Sequence, residues 1–442
     1  MTELPKDCLI KTLQGDRESI QAINTEKASD MLLQNNHILY LVDTEGTYIY
    51  KNGVYCSGGY GFLKKGLYEA FKGIETYSGR PVITERTATE ILARTCSMTS
   101  TTIMSLRSEK KLLNLANCVL DLTDKTIYDH SPDFKLLTKL PIHYDPDAEC
   151  PLFMKFLEQA IDDRNFDVVG EMIGYTLWPD YNVHKAFMLL GPKRTGKSTL
   201  IRVIEAINGN SNCSHVSLQD LVSQRFARAR LFGNRINTYG DLPAIPMSDV
   251  GIFKNVTGED EIDAENKGTQ IFSFRNTAKL IYSANSLPRI KINDEAFYNR
   301  WIIIPFENSF YGREDVHLTA KLTTQEELSG ILNFALLGLD RLIKNRWQFS
   351  DHISSGDYYK RESNPVLAFL EDCCEASDTD YIIKADLIKA FNRWASTHKH
   401  PPASSKNAFG RIMTDQTIIP VDSCQPKVED RQVEAWAGIK YK

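Results

Sequence analysis

The sequence predicts an α/β protein with a central, mainly parallel sheet, and two observations carry that expectation. From Lys185 onward, short apolar strands alternate with helical stretches, as in βαβ units. The first of those strands runs into LLGPKRTGKSTL (Leu189–Leu200), a glycine loop that opens a helix. The chain has 442 residues, room for about three domains at roughly 150 residues each.

Residues 1–86 read as a small mixed α/β region of unassigned role. Within it, ILYLVDTEGTYIYKNGVYC holds two β-rich runs broken by Glu45-Gly46 and Asn52-Gly53, both hairpin signals. Residues 87–184 read as a helical domain, on patterns such as FMKFLEQAI and FDVVGEMIGYTLW, preceded by the turn-rich connector HYDPDAECP. Residues 185–355 hold the α/β core. Its strands are KAFMLL, RINTYGD, AKLIYSA and RWIIIPF, its first helix is STLIRVIEAI, and EELSGILNFALLGLDRLI trails it. The polar stretch HISSGDYYKRESNP reads as a linker. The last unit, 356–442, has the helix ADLIKAFNRWA, with Leu387, Phe391 and Trp394 on one face, and AWAGIKY as a closing strand. Helices ahead of a terminal strand suit a winged-helix-like module.

Composition narrows the function classes. With 42% hydrophobic and 25% charged residues, the balance is that of an ordinary globular protein. A net charge of −5 argues against a protein that coats nucleic acid with a basic surface, though not against one that grips it in a locally basic channel. Nine cysteines are scattered without a C-x-x-C pair, and adjacent Cys373 and Cys374 lack zinc-ligand spacing, so reduced, buried thiols are expected. The start, MTELPKDCLI, is not a secretory signal. No apolar run approaches the roughly 18 residues that span a bilayer. A cytoplasmic protein with no membrane partner is the expectation.

The chemistry concentrates after Leu190. Gly191, Pro192, Lys193, Arg194, Thr195, Gly196, Lys197 and Ser198 fit G-x-x-x-x-G-K-[ST] without mismatch, between a strand and a helix. Backbone amides of such a loop, and of the helix start through Thr199, point at phosphates. Lys197 would neutralise the β- and γ-phosphates of ATP, and Ser198 would ligate Mg²⁺. The loop says little about purpose, because many machines share it.

A second metal ligand is needed, and Asp241 in RINTYGDLPA sits where a strand ends. The alternative is a turn-forming Asp before Pro243. Gly240 and Leu242 flank it, so there is one carboxylate, and a water-orienting acid must come from elsewhere; Glu259 and Asp260 are candidates. Asn285 ends the apolar strand AKLIYSA, where an amide can reach the γ-phosphate or its attacking water; equally, it suits a turn before Pro288. Arg300 precedes a very apolar strand, a position fit for an arginine finger on a neighbouring subunit's γ-phosphate or for a solvated strand-edge cation. AENKGTQIF reads as a hairpin with Lys267-Gly268 at its tip, and such tips arrayed in a ring pore would meet a single strand's phosphates.

Taken in order, these features resemble the superfamily 3 helicase motor, an AAA+ ATPase, and within it the phage and plasmid primase-helicase family related to the poxvirus primase-helicase. The resemblance runs from about Thr87 to Lys442. NLANCVLDLTDKTIYDHSPDFKLLTKLPIHYDPDAECPLFMKFL is similar to that family's segment ahead of the motor, and FLEDCCEASDTDYIIKADLIKAFNRWA to its C-terminal domain. It implies a Walker A loop at Gly191–Ser198, Walker B acid Asp241, sensor Asn285, finger Arg300 and DNA contact Lys267. It also implies ATP hydrolysis between subunits of a homo-hexamer that moves along single-stranded DNA with 3′ to 5′ polarity and opens forked DNA, in replication of a virus, plasmid or mobile element (in host cytoplasm if viral). Many relatives pair two acids at Walker B and carry an N-terminal primase. The first segment shows only isolated acids such as Asp43 and Glu45, so a separate primase is the expected partner. Two other readings stand beside the helicase. One is an initiator or loader that uses ATP only to assemble; the other is a small-molecule kinase, with Arg225, Arg228 and Arg230 as a lid.

Overall fold

The computed structural model describes residues 6–442 apart from 15–16, 107–108, 244–249, 259, 266–270, 289, 291–293, 399, 417 and 429–430. At its centre five parallel strands lie in the spatial order Cys213–Ser214, Ile236–Tyr239, Lys279–Ala284, Ala186–Leu190, Trp301–Pro305. The four longer strands coincide with the expected ones. The two-residue edge strand, too short to leave a pattern, does not appear in the sequence reading.

Successive side chains of a strand point to opposite faces, and here both faces are covered. Phe187, Leu189, Ile281, Ile302 and Ile304 enter one core with the helices Pro151–Ala160, Phe166–Leu177, Lys197–Asn208 and Gln325–Lys344. Met188, Leu190, Leu280, Tyr282 and Ile303 enter the other. Burial on both sides is why Ala186–Leu190 and Trp301–Pro305 read as unbroken apolar runs rather than alternating ones.

Phe166–Leu177 and Gln325–Lys344 cross at backbone distance. A Cβ on Gly174 would stand 2.3 Å from the Ala335 carbonyl oxygen, and one on Gly338 2.2 Å from the Gly170 carbonyl. Glu171, fully buried in this crossing, accepts from Arg341 Nε at 3.1 Å, Ser350 N at 2.7 Å and Ser350 Oγ at 2.8 Å. Glu327 on the long helix accepts from the amides of Leu152 and Phe153, both at 3.1 Å. A carboxylate there satisfies first-turn donors of the helix Pro151–Ala160, which has no side-chain cap of its own.

Three expectations change. Packing crosses the boundary placed at residue 86: Ala88, Ile91 and Leu92 of the helix Glu85–Met98 share a core with Ala28, Leu32, Leu63 and Leu67. The stretch 87–184 is not all helical, since Leu112–Asn114, Val119–Asp121 and Ile127–Tyr128 form an antiparallel meander whose Leu113 and Leu120 join the central core. The polar "linker" is the helix Ser355–Ser363, and it belongs with the central unit rather than with 356–442. Its Tyr359 is fully buried, stacks at 5.6 Å on Trp301 and donates to the Pro288 carbonyl at 2.8 Å.

The first segment holds a second sheet in the order Val54–Cys56, Gly46–Lys51, Ile38–Leu41, Ser100–Thr101. Its hairpin turns have left-handed Glu45 (φ 52°), Asn52 (φ 49°) and Gly53 (φ 85°), the conformations tight hairpins require. At the C-terminus, Pro365–Cys373, Lys384–Thr397 and Lys406–Asp415 pack on a sheet ordered Cys374–Ile383, Ala435–Tyr441, Asp422–Cys424. Leu387, Phe391 and Trp394 are all buried there. Among the described residues, no helix is long and apolar enough to cross a membrane.

Candidate nucleotide site

The glycine loop leaves the C-terminal end of Ala186–Leu190 and enters the helix Lys197–Asn208. Gly191 lies so close to the next strand's end that a Cβ would stand 2.0 Å from the Phe306 carbonyl oxygen; only glycine fits. Gly196 caps the helix in the left-handed region (φ 96°) without a side-chain cap. The first-turn amides, which no helix can satisfy internally, therefore have no side chain assigned to them. Ser198 is exposed at that turn, as are Pro192, Lys193 and Arg194, while Thr195 is buried and Thr199 half-buried. Arg194 is clamped from outside the loop: its guanidinium pairs with Glu314 at 3.1 Å and lies 4.7 Å over the Tyr311 ring.

Lys197 is nearly buried, and its Nζ donates to the carbonyls of Gly191 at 2.5 Å and Pro192 at 2.6 Å and to Asn285 Oδ1 at 3.4 Å. Burial holds this ammonium below its ordinary pKa, against the pull of Asp241. Asn285 donates through Nδ2 to Asp241 Oδ1 at 2.9 Å, so its carbonyl faces the cation and its NH₂ the carboxylate.

Parallel register brings these groups together. Leu190 pairs with Ala284, which sets Asn285 beside Gly191. Tyr239 pairs with Tyr282, which sets Asp241 at the same sheet end. Asp241 leaves its strand with φ 56°, and its amide donates to Ser283 Oγ at 3.2 Å. A left-handed non-glycine residue costs of order 1–3 kcal/mol and clusters at functional sites. Ser283, one residue before Asn285, carries no sequence signal of this role.

An exposed hydroxyl and an exposed carboxylate make a hard-oxygen donor pair, which suits Mg²⁺ shared with phosphates and water. Ser198 and Asp241 are the residues that would hold it.

Arg300 lies at the other end of the sheet. Its carbonyl accepts from Ala186 N at 2.7 Å, at the start of the loop's strand, roughly 13–16 Å from the loop at about 3.3 Å per residue. The guanidinium donates through Nε to Thr257 Oγ1 at 2.9 Å and through Nη1 to the Ala296 carbonyl at 2.9 Å. Burial lowers its pKa, opposed by the charges of Asp294 and Asp260. The candidate acid Asp260 is close enough to Arg300 for its charge to be felt there. Thr257, the first residue of the TGED stretch, is a buttress that sequence reading missed. Arg228 donates to the Leu221 and Val222 carbonyls at 3.0 and 2.9 Å, the duty of a helix cap rather than of a lid.

The expected hairpin is present as Glu261–Glu265 paired antiparallel with Ile271–Arg275. Lys267, expected from the sequence at the tip, and the candidate acid Glu259 lie outside the described residues.

Among solved structures, the A form apo structure of the NrS-1 C terminal region aligns with TM-score 0.48 and 11% identity, over 93% of this chain and 98% of that one. A second apo structure of the NrS-1 C terminal region gives 0.47 and 11% over the same shares. No curated protein matches the chain. Residues 189–300, from the strand before the glycine loop to Arg300, match a family of unknown function (DUF5906). Residues 80–162, ahead of the loop, match the family described as D5 N terminal like.

Proposed function

We propose that this chain is an ATP-driven DNA helicase of the AAA+, superfamily 3 type that serves replication of a virus, plasmid or mobile element. One observation carries the reading: Lys197, at the start of the helix that a complete phosphate loop enters, is joined through Asn285 to Asp241, both just beyond the ends of neighbouring strands. The D5 N terminal like match ahead of the loop adds the primase-helicase context.

On this reading the loop amides and Lys197 hold the β- and γ-phosphates of ATP. Mg²⁺, held by Ser198 and Asp241, supplies charge neutralisation on the phosphate oxygens. Asn285 orients the γ-phosphate or the attacking water while its carbonyl steadies Lys197. Arg300, too far from its own loop, would serve the nucleotide of an adjoining subunit in a homo-hexameric ring. Lys267, at the hairpin tip, would grip single-stranded DNA as the ring moves 3′ to 5′ into a fork, with a separate primase as partner.

The test is ATP turnover with and without single-stranded DNA, alongside mass in solution with ATP. A helicase forms a ring, is stimulated by DNA and separates a forked duplex. Lys197→Ala abolishes turnover, and Lys267→Ala reduces DNA stimulation while sparing nucleotide binding. A chain that assembles and binds DNA but leaves the fork closed is a loader.

A further inference from the structure

Arg300 follows a helix too short to hold itself in place. Glu295–Tyr298 is a single turn, and Arg300 Nη1 donates to its Ala296 carbonyl at 2.9 Å. Isolated helices shorter than about 12 residues are marginal in water, so outside contacts must fix this turn. On one side Asp294 caps it, accepting from the Phe297 amide at 2.9 Å and pairing with Lys254 at 2.8 Å. The helix Ser355–Ser363 supplies the other side. Its Tyr359 ring packs on Phe297, Tyr298 and Trp301 at 5.4, 5.7 and 5.6 Å between centroids. Gly356 passes so close to Asn299 that a Cβ would stand 2.6 Å from Asn299 Oδ1. Ser355 Oγ accepts at 2.7 Å from the amide of Ile303, on the edge strand of the central sheet. Lys360 Nζ completes the set, donating to Glu295 at 3.2 Å.

The same helix is tied to the C-terminal unit. A single residue, Asn364, separates it from the helix Pro365–Cys373. Across that joint Arg361 pairs with Asp372 at 2.7 Å and with Glu371 at 3.8 Å, and Lys360 lies 3.9 Å from Glu371. Asp372 also accepts from Trp394 Nε1 at 3.2 Å, which ties the joint to the C-terminal core. Glu362 stands 3.7 Å from His400. Lys360 is therefore shared between two carboxylates, Glu295 in the turn that leads to Arg300 and Glu371 in the C-terminal unit.

We propose that the C-terminal unit positions Arg300 for catalysis through the helix Ser355–Ser363, with Lys360 as the positioning residue at the joint. This rests on the reading of Arg300 as a finger for an adjoining subunit's nucleotide. A finger acts fully only where its guanidinium is held ready for the charge that develops in the transition state. A misplacement of about 1 Å can cost a hundredfold in rate. Ion pairs between part-exposed side chains add little to stability. Loosening this joint therefore shows in turnover and not in folding.

The experiment measures ATP turnover and melting temperature of the full chain carrying Lys360→Met, Lys360→Arg, Arg361→Met or Lys389→Met, and of Lys360→Met in an Arg300→Ala background. Lys360→Met lowers kcat about fivefold, the upper end for one part-exposed ion pair, with KM for ATP nearly unchanged. Lys360→Arg keeps the charge and retains turnover. Arg361 pairs only with Glu371 and Asp372 among the described residues, so a similar loss in Arg361→Met must arrive from the C-terminal unit. Lys389→Met, whose pair with Asp386 lies inside that unit, leaves turnover unchanged. In the Arg300→Ala background Lys360→Met brings no further loss, since the group it positions is gone. A further fivefold loss there, or a loss that tracks a lower melting temperature, makes Lys360 merely structural and overturns the proposal. It is overturned equally if Lys360→Met and Arg361→Met turn over at full rate while Arg300→Ala is dead. Full turnover by Arg300→Ala is a different result: it overturns the finger reading, and this inference falls with it.

Discussion

At the scale of single residues, Lys197 is held for a ligand it does not yet touch. Its ammonium bonds two carbonyls of its own loop, and burial depresses its pKa. A bound triphosphate would favour the cationic form and raise that pKa again. The sign follows: phosphate binding needs the protonated amine, so affinity is full well below the depressed pKa and falls as pH rises through it, with a proton taken up on binding. Titrating a fluorescent ATP analogue between about pH 7 and about pH 10, below the ordinary lysine value at its upper end, should show that weakening. Calorimetry in two buffers of different ionisation enthalpy should show the uptake, and a flat profile would contradict it. Asn285 is positioned differently, between the cation and the carboxylate. Asn285→Ala should lower turnover about a hundredfold, the loss expected for removing one preorganised donor, while changing ATP affinity only a few-fold. Equal losses in both would reduce it to a binding residue.

At the scale of elements, backbone contact decides what a substitution costs. Gly338→Ala drives a methyl into the Gly170 carbonyl at the crossing of two central helices. It should destabilise by about 3 kcal/mol, the upper part of the overpacking range, read as a lower urea midpoint at unchanged slope. The same change at Gly61, in the helix Gly59–Ala70 with nothing within 4 Å, should stabilise by up to about 1 kcal/mol. Matching signs would refute the packing argument. Elements also divide by how far the sequence discloses them. The glycine loop, the four long strands and the hairpins are local patterns of turn chemistry and apolar period, and they fold where the sequence says. The helix Ser355–Ser363 hides because its residues are mostly polar and its anchors lie far along the chain, Tyr359 on Trp301 and Ser355 on the amide of Ile303, both more than fifty residues earlier. Ser283 and Thr257 hide for a related reason: each matters through one hydrogen bond across strands or segments, and spacing along the chain carries no trace of it.

At the scale of the whole molecule, the sheet separates two groups that ATP hydrolysis of the proposed kind requires together. The phosphate loop occupies one end of its strand and Arg300 the other, with the guanidinium spent on Thr257 and the Ala296 carbonyl. Within one chain Arg300 cannot reach its own nucleotide without dismantling the sheet, so a catalytic Arg300 must act across an interface, as heterologous ring contacts allow. Complementation tests this sharply. Arg300→Ala should bind ATP and assemble but turn over at least a thousandfold more slowly, as for loss of an arginine finger, and Lys197→Ala should be inactive for want of phosphate binding. Mixed together, the two dead variants should regain measurable turnover, because some interfaces then join an intact loop from one subunit to an intact Arg300 from its neighbour. A buttress role for Arg300, confined to its hydrogen bond with Thr257, gives no recovery on mixing. In that case Thr257→Val should reproduce the Arg300→Ala loss, whereas a finger acting in trans should tolerate that change far better than loss of the guanidinium itself.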